Sequence, residues 1–134
     1  MSEEMTQLYQ ELIMARARSP HFAGRPAAFE HHAQGENPVC GDQVEVFVGN
    51  AQVRHESRGC AILLASADLM AEAVAGKTAA EVSELHAAFE QMVETGQTNP
   101  ALGDLNALAG LWEYRSRIRC ATLPWAALAQ ALGA

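Results

Sequence analysis

Cys40, Cys60 and Cys120 stand in three short contexts: Asn37-Pro38-Val39-Cys40-Gly41-Asp42, Gly59-Cys60-Ala61-Ile62 and Arg119-Cys120-Ala121-Thr122-Leu123-Pro124-Trp125. Thiolates are soft metal donors and strong nucleophiles, and Asp42 adds a carboxylate two residues after the first cysteine. Three thiolates and one carboxylate can close the tetrahedral shell that zinc or iron takes. No pair has the Cys-x-x-Cys spacing of a zinc knuckle or a thioredoxin motif, so spacing alone says little. The local settings say more. Cys40 lies in a turn that leads into a strand, and Cys60 and Cys120 each precede an expected helix, whose N-terminus favours thiolate over thiol. Gly41 and Gly59 permit crowded backbone beside a cysteine. Isolated cysteines are ordinarily apolar packing, and an Asp in a turn ordinarily bonds its own backbone. Flanking Gly, Asp and Pro favour a shared site over packing. A carboxylate exchanges more readily than a thiolate, so such a site would hold metal less firmly than an all-cysteine one, which suits a carrier.

Other chemical motifs are weaker. Ala75-Gly76-Lys77-Thr78 resembles the end of a phosphate-binding loop, but Ala71 occupies the place of its first Gly and a helix precedes it where a strand is required. A helix stop followed by a helix cap accounts for it. The lack of any Cys-Gly-x-Cys-Trp or Gln-Ala-Cys signature argues against a cysteine protease. His31 and His32 offer imidazoles, for which solvent-facing loop positions are the expectation.

The elements that must position the cysteines are readable from periodicity. Ser2-Glu3-Glu4-Met5-Thr6 opens like a capped helix, and Met5, Leu8, Tyr9, Leu12 and Ile13 recur at helical spacing to about Arg18. Ser19-Pro20 stops it, and the stretch to Pro38 has no sustained period, which predicts an irregular surface segment. Val44, Val46 and Val48 alternate with Gln43, Glu45 and Phe47, Gly49-Asn50 turns the chain, and Val53 and His55 return on one face of a hairpin. A helix from Cys60 to Gly76, a second from Ala79 to about Thr95 capped by Thr78 and Glu81, and a short helical segment over Leu102–Leu111 follow. The last helix is expected to start near Pro124.

At 134 residues and 49% hydrophobic content the chain matches one domain with a single core, residues 1–134, of α+β class. No run approaches the ~18 apolar residues of a membrane span. Net charge is -7 with nine Lys plus Arg, which argues against a nucleic-acid surface. Three widely spaced cysteines without a signal peptide predict the reducing cytoplasm. The one basic cluster, Arg115, Arg117 and Arg119, is either a solvated edge or a docking patch for an acidic partner.

Several motifs in order make a resemblance: Leu8-Tyr9-Gln10-Glu11-Leu12-Ile13, Asn37 to Asp42, Gly59-Cys60-Ala61-Ile62 with Ala65-Ser66-Ala67, Gly76-Lys77-Thr78, and Arg119 to Trp125. Through them nearly the whole chain resembles the U-type scaffold proteins of iron-sulfur cluster assembly (IscU, SufU and the N-terminal domain of NifU). The insert carrying Leu102-Gly103-Asp104-Leu105 and Leu108-Ala109-Gly110-Leu111 is similar to the SufU branch. The resemblance implies a SufE/NifU-like α+β fold, a small antiparallel β-sheet packed against several helices, with the cysteines at one exposed tip. It implies Cys40, Asp42, Cys60 and Cys120 as ligands of zinc, or alternatively of iron or a [2Fe-2S] cluster. It also implies sulfur transfer from a SufS-like, pyridoxal-phosphate cysteine desulfurase to Cys40 and on to downstream acceptor or scaffold proteins, with Arg119 contacting the partner. The chain would thus be a sulfur-transfer partner protein more than a stand-alone enzyme. The alternatives are a scaffold that builds a [2Fe-2S] cluster and a zinc-stabilised interaction module without sulfur transfer.

The chain departs from the family pattern in places. Arg119 replaces a His, and Tyr114-Arg115-Ser116-Arg117 replaces the Leu-Pro-Pro-Val-Lys segment read by a dedicated chaperone. Ala15-Arg16-Ala17-Arg18 and Ser19-Pro20-His21 stand where Asp-His-Tyr and Asn-Pro-Arg are usual, and Ala126 replaces a His. The interval from Cys40 to Cys60 is short, which implies a sheet lacking part of a hairpin.

Overall fold

The computed structural model describes residues Glu3–Gly133; the expected cap at Ser2 lies outside them. Helix α1 (Glu3–Arg18) carries Glu3 and Glu4 in its first turn and Arg16 and Arg18 in its last, which matches the helix dipole at both ends. Leu12 and Ile13 pack on the core. Strands β1 (His31–Asn37), β2 (Asp42–Gly49) and β3 (Gln52–Arg58) form an antiparallel sheet in that order. Helices α2 (Ala61–Val74) and α3 (Ala79–Thr95) follow, then a 3₁₀ segment (Pro100–Glu113) kinked at Gly103, then α4 (Arg115–Ala131).

Strand β1 corrects the expected irregular segment. His-His-Ala-Gln-Gly-Glu-Asn has almost no β-propensity of its own, and it is extended because every residue from His31 to Asn37 pairs in register with β2, from Val48 down to Asp42. Ala33 and Asn37 are buried, and Gly35 lies against Leu123 and Ala127 of α4. The short interval between Cys40 and Cys60 therefore holds two full strands of a three-stranded sheet. The hairpin between β2 and β3 turns on Asn50 and Ala51, both at positive φ, as a two-residue turn of this hand requires. Val44, Val46, Val53 and His55 face the helices as expected. Phe47 is also buried, because Phe29 packs edge-on against it and the Arg25 guanidinium stacks over both rings.

Helix α2 lies across β3 and is covered by α1 and α4, so that nine of its fourteen residues are buried. Helix α3 has the expected capping box between Thr78 and Glu81 and ends at a left-handed Gly96. Helix α4 starts at Arg115, nine residues before the expected Pro124. Cys120, Ala121, Pro124, Trp125, Leu128 and Ala131 recur at helical spacing and bury one face. Pro124 sits inside this helix and has no N–H to return to the carbonyl four residues earlier, a local loss that the buried face outweighs.

One buried carboxylate ties these layers together. Asp68 of α2 is fully buried and accepts hydrogen bonds from Arg16 Nη1 (3.0 Å), His55 Nε2 (3.0 Å) and the backbone N–H groups of His21 (2.9 Å) and Phe22 (2.8 Å). Arg16 also reaches Glu72 at 2.5 Å. Burial alone would raise the Asp68 pKa, but these donors, His55 first, hold it down from 3.8 to about 2.

A carboxyl whose pKa is depressed in the folded state stabilises it above the unfolded value and loses that contribution as pH falls through the folded one. Asp68 should therefore contribute about 2 kcal/mol at neutral pH that disappears between about pH 4 and pH 2. Urea titrations across that window should show the loss in the wild type and a flatter profile in Asp68→Asn. At neutral pH Asp68→Ala should lower stability by about 3–5 kcal/mol, since it strips a buried carboxylate from Arg16, which keeps only the partly exposed Glu72, and from His55.

Candidate metal centre

Asn37 and Asp42 are the last residue of β1 and the first of β2, and they face each other in the ladder. The four residues between them, Pro38-Val39-Cys40-Gly41, form the turn at the end of the sheet. Asn37 holds this turn: its Oδ1 accepts the Val39 N–H at 3.2 Å and its carbonyl accepts the Gly41 N–H at 2.8 Å and, weakly, the Cys40 thiol at 3.8 Å. The turn projects into solvent, with Val39 90% exposed and Cys40 exposed beside it.

Asp42 is nearly fully buried. Its Oδ1 accepts the Cys60 N–H at 3.1 Å, and its Oδ2 lies 3.7 Å from the Cys60 sulfur. Cys60 occupies the N-cap of α2 and makes no side-chain cap bond of its own. Asp42 supplies that cap from the neighbouring strand. Between them Gly59 has φ +155, and a Cβ there would run into the Asp42 carboxylate, so this position needs glycine twice over.

Cys120 comes from the opposite side, in the second turn of α4, and is 3% exposed. This corrects the expectation of a helix N-terminus, because α4 begins five residues earlier. Its environment is the reverse of thiolate-stabilising: burial, then hydrogen bonding to Asp42 and Cys60, raises its pKa strongly. Burial also pushes Asp42 up, yet bonds from the Cys120 thiol, the Cys60 N–H and the Cys40 and Cys60 thiols bring it below its ordinary value.

Donor atoms of Cys40, Asp42 and Cys120 lie within 4.8 Å of one another. Cys60 falls outside that mutually close set and meets it through Asp42 and Cys120. Three thiols sharing protons with one buried carboxylate form a donor set that fits a thiophilic divalent ion such as zinc, which would replace those protons. Arg119 is exposed beside Cys120, and Arg115 and Arg117 are exposed on the turn before it. Among the described residues none of the three makes an ion pair. His31 and His32 are exposed and stand apart from the cysteines; His32 pairs with Glu45 at 3.2 Å. A concavity of about 720 Å³ on the outer sheet face, between Glu36, Glu45, Glu56 and Arg58, contains no cysteine, so the thiols and not the cavity mark the site. The holding role of Asn37 was not read from the sequence, although Asn-Pro ahead of a cysteine is a turn signal.

The model of the NifU-like N terminal domain matches residues 8–121. The chain belongs to that family. It is 35% identical to the iron-sulfur cluster assembly scaffold protein IscU of Streptococcus pyogenes serotype M1, over 96% of this chain and 85% of the relative. It is 31% identical to the zinc-dependent sulfurtransferase SufU of Bacillus subtilis (strain 168), over 90% and 86%. Among solved structures, a candidate iron-sulfur cluster assembly scaffold protein for the SUF system from Fervidobacterium islandicum AW-1 superposes with a TM-score of 0.83 at 30% identity, covering 98% of this chain and 99% of that one. The NifU-like N-terminal protein of Brucella abortus, at 24% identity and TM-score 0.82, shares the fold. The α+β class and the small antiparallel sheet on helices are thus those of the family.

The exposure gradient orders the thiols. In metal-free protein, limited alkylation with iodoacetamide followed by peptide mapping should modify Cys40 first, Cys60 next and Cys120 last. Gly59→Ala should lower unfolding free energy by about 1–3 kcal/mol in denaturant titration, because the new Cβ displaces the Asp42 carboxylate from the Cys60 N–H.

Proposed function

We propose that residues 1–134 act as one U-type domain in iron-sulfur cluster assembly, taking persulfide sulfur from a cysteine desulfurase on Cys40 and passing it to downstream acceptors. The observation that carries this reading is the meeting of an exposed thiol, Cys40, with a buried carboxylate and a buried thiol at the end of the sheet. The zinc-dependent sulfurtransferase SufU at 31% identity supports it.

Cys40, Asp42, Cys60 and Cys120 are the residues that hold zinc in this reading. The chemistry a bound zinc supplies is stabilisation of thiolate over thiol and protection from oxidation. Cys40 is the acceptor because its turn alone lets a partner's sulfur approach, Cys120 being enclosed. Its thiolate attacks the outer sulfur of the desulfurase persulfide. The S–S bond breaks, the desulfurase cysteine leaves as thiolate, and Cys40 carries the persulfide. Arg119 offers a cation to an acidic rim on the desulfurase, and the reducing cytoplasm is the compartment in which three free thiols persist. Among the described residues no helix is long and apolar enough to cross a membrane. A second reading, a scaffold on which a [2Fe-2S] cluster is assembled, is supported by the IscU relative at 35% identity.

Incubation with a cysteine desulfurase and cysteine, followed by peptide mass spectrometry, should find one added sulfur on Cys40; none on any of the three cysteines would sink the transfer reading. A cluster chromophore after anaerobic addition of iron and sulfide, without prior persulfide, would favour the scaffold. Asp42→Ala should lower zinc occupancy or speed zinc exchange by about tenfold or more, read by elemental analysis and chelator competition. Arg119→Glu should slow persulfide transfer severalfold, more at low ionic strength than at high.

A further inference from the structure

Sulfur acceptance at Cys40 gives Cys120 no part in the transfer beyond holding metal. Cys120 is enclosed on α4, its sulfur lies within 4.8 Å of that of Cys40, and both thiols bond the Asp42 carboxylate. Cys60 is outside this mutually close set. An exposed thiol facing a protected one is the arrangement in which a sulfur gained on the first can be expelled by the second.

We propose that Cys120 is the resolving thiol of the site: in the metal-free protein it attacks Sγ of a Cys40 persulfide and releases the outer sulfur as hydrosulfide. The proposal rests on the reading of Cys40 as sulfur acceptor. A bond forms between the Cys120 and Cys40 sulfurs while the Cys40 persulfide bond breaks, its electron pair leaving with the outer sulfur. That sulfur is reduced from the sulfane to the sulfide level, and the two cysteine sulfurs are oxidised to a disulfide. The proton given up by Cys120 leaves with the outer sulfur. One turnover needs no outside reductant, and a dithiol reductant returns the disulfide to two thiols.

The geometry permits the closure. A disulfide needs about 2.05 Å between sulfurs, so less than about 3 Å must be gained. The less constrained member is Cys40, on an exposed turn bonded to Asn37, whereas Cys120 is packed within a helix. Burial also keeps Cys120 from being loaded directly by a sulfur donor, which preserves it as the attacking thiol. Two reacting sulfurs held this close have an effective concentration far above that of any thiol in solution.

The test uses metal-free full-length protein loaded anaerobically with inorganic polysulfide and freed of the donor by gel filtration. Hydrosulfide is then trapped with a bimane reagent over time, and cysteines are mapped by mass spectrometry. Wild type should release hydrosulfide and accumulate the Cys40–Cys120 disulfide. Cys120→Ser and Cys120→Ala, the second of which suits an apolar wall, should retain persulfide on Cys40 and release hydrosulfide at least about tenfold more slowly. Unchanged release in both Cys120 variants would overturn the proposal, as would a Cys40–Cys60 disulfide or sulfane sulfur moved to Cys120 without hydrosulfide. Failure here is separable from failure of the acceptor reading. A desulfurase that loads Cys40 with a persulfide that then persists removes only the resolving step, and a desulfurase that loads no cysteine removes only the acceptor reading while polysulfide-driven release still supports the resolving one.

Discussion

The Asp68 carboxylate is the constraint on which the rest of the structure depends. A buried carboxylate without partners is strongly unfavourable, and this one has four donors from three parts of the chain: a guanidinium from α1, two amides from the segment after it and an imidazole from β3. Each segment has contacts of its own, Leu12 and Ile13 on the core, β3 along β2, and Phe22 and Gly24 to the His55 backbone, and Asp68 is the group at which all three meet. The stretch after α1 has no periodicity, and His55 is an imidazole 1% exposed on a sheet face otherwise buried by Val44, Val46 and Val53 at this end. Because Asp68 sits two turns into α2, fixing it against β3 also fixes the start of α2, where Cys60 caps the helix beside Asp42.

The molecule thus contains two buried carboxylates with opposite partner sets. Asp68 is met by a permanent cation, an imidazole and two amides, groups that nothing in the surroundings will take away. Asp42 is met by one amide and by thiols, groups that as a class exchange protons for metal ions and react with other sulfurs. The first arrangement holds the fold. The second holds only as long as the thiols are thiols, which is the property of a site that exchanges what it binds.

Much of this was legible in the sequence because it is written locally. The capping box at Thr78 and Glu81, the alternating valines of β2 and the turn contexts of Cys40 and Cys60 depend on residues a few positions apart, and the motifs in order pointed to the family. What could not be read is what depends on distant partners. Strand β1 is extended by pairing with β2 and not by its own residues, and Phe47 is buried by a loop eighteen residues before it. Asp68 read as a polar interruption in an apolar run because its four donors lie between thirteen and fifty-two positions away. Pro124 was misleading for the same reason. Proline favours a first helical position in isolation, but α4 is stabilised by a buried face that begins before it.

That last misreading bears on the chemistry. At a helix N-terminus Cys120 would be one more activated thiol, equivalent to Cys60. In the second turn of α4 it is enclosed, and burial with Asp42 and Cys60 beside it pushes its thiol pKa up. The three cysteines therefore differ by position: one on a projecting turn, one at a helix cap and one inside a helix. Equal thiols around a metal would suffice to hold it. Here the thiols are graded from open to enclosed around a single carboxylate, so they are not interchangeable toward anything that arrives from solvent, and that asymmetry follows from where α4 begins.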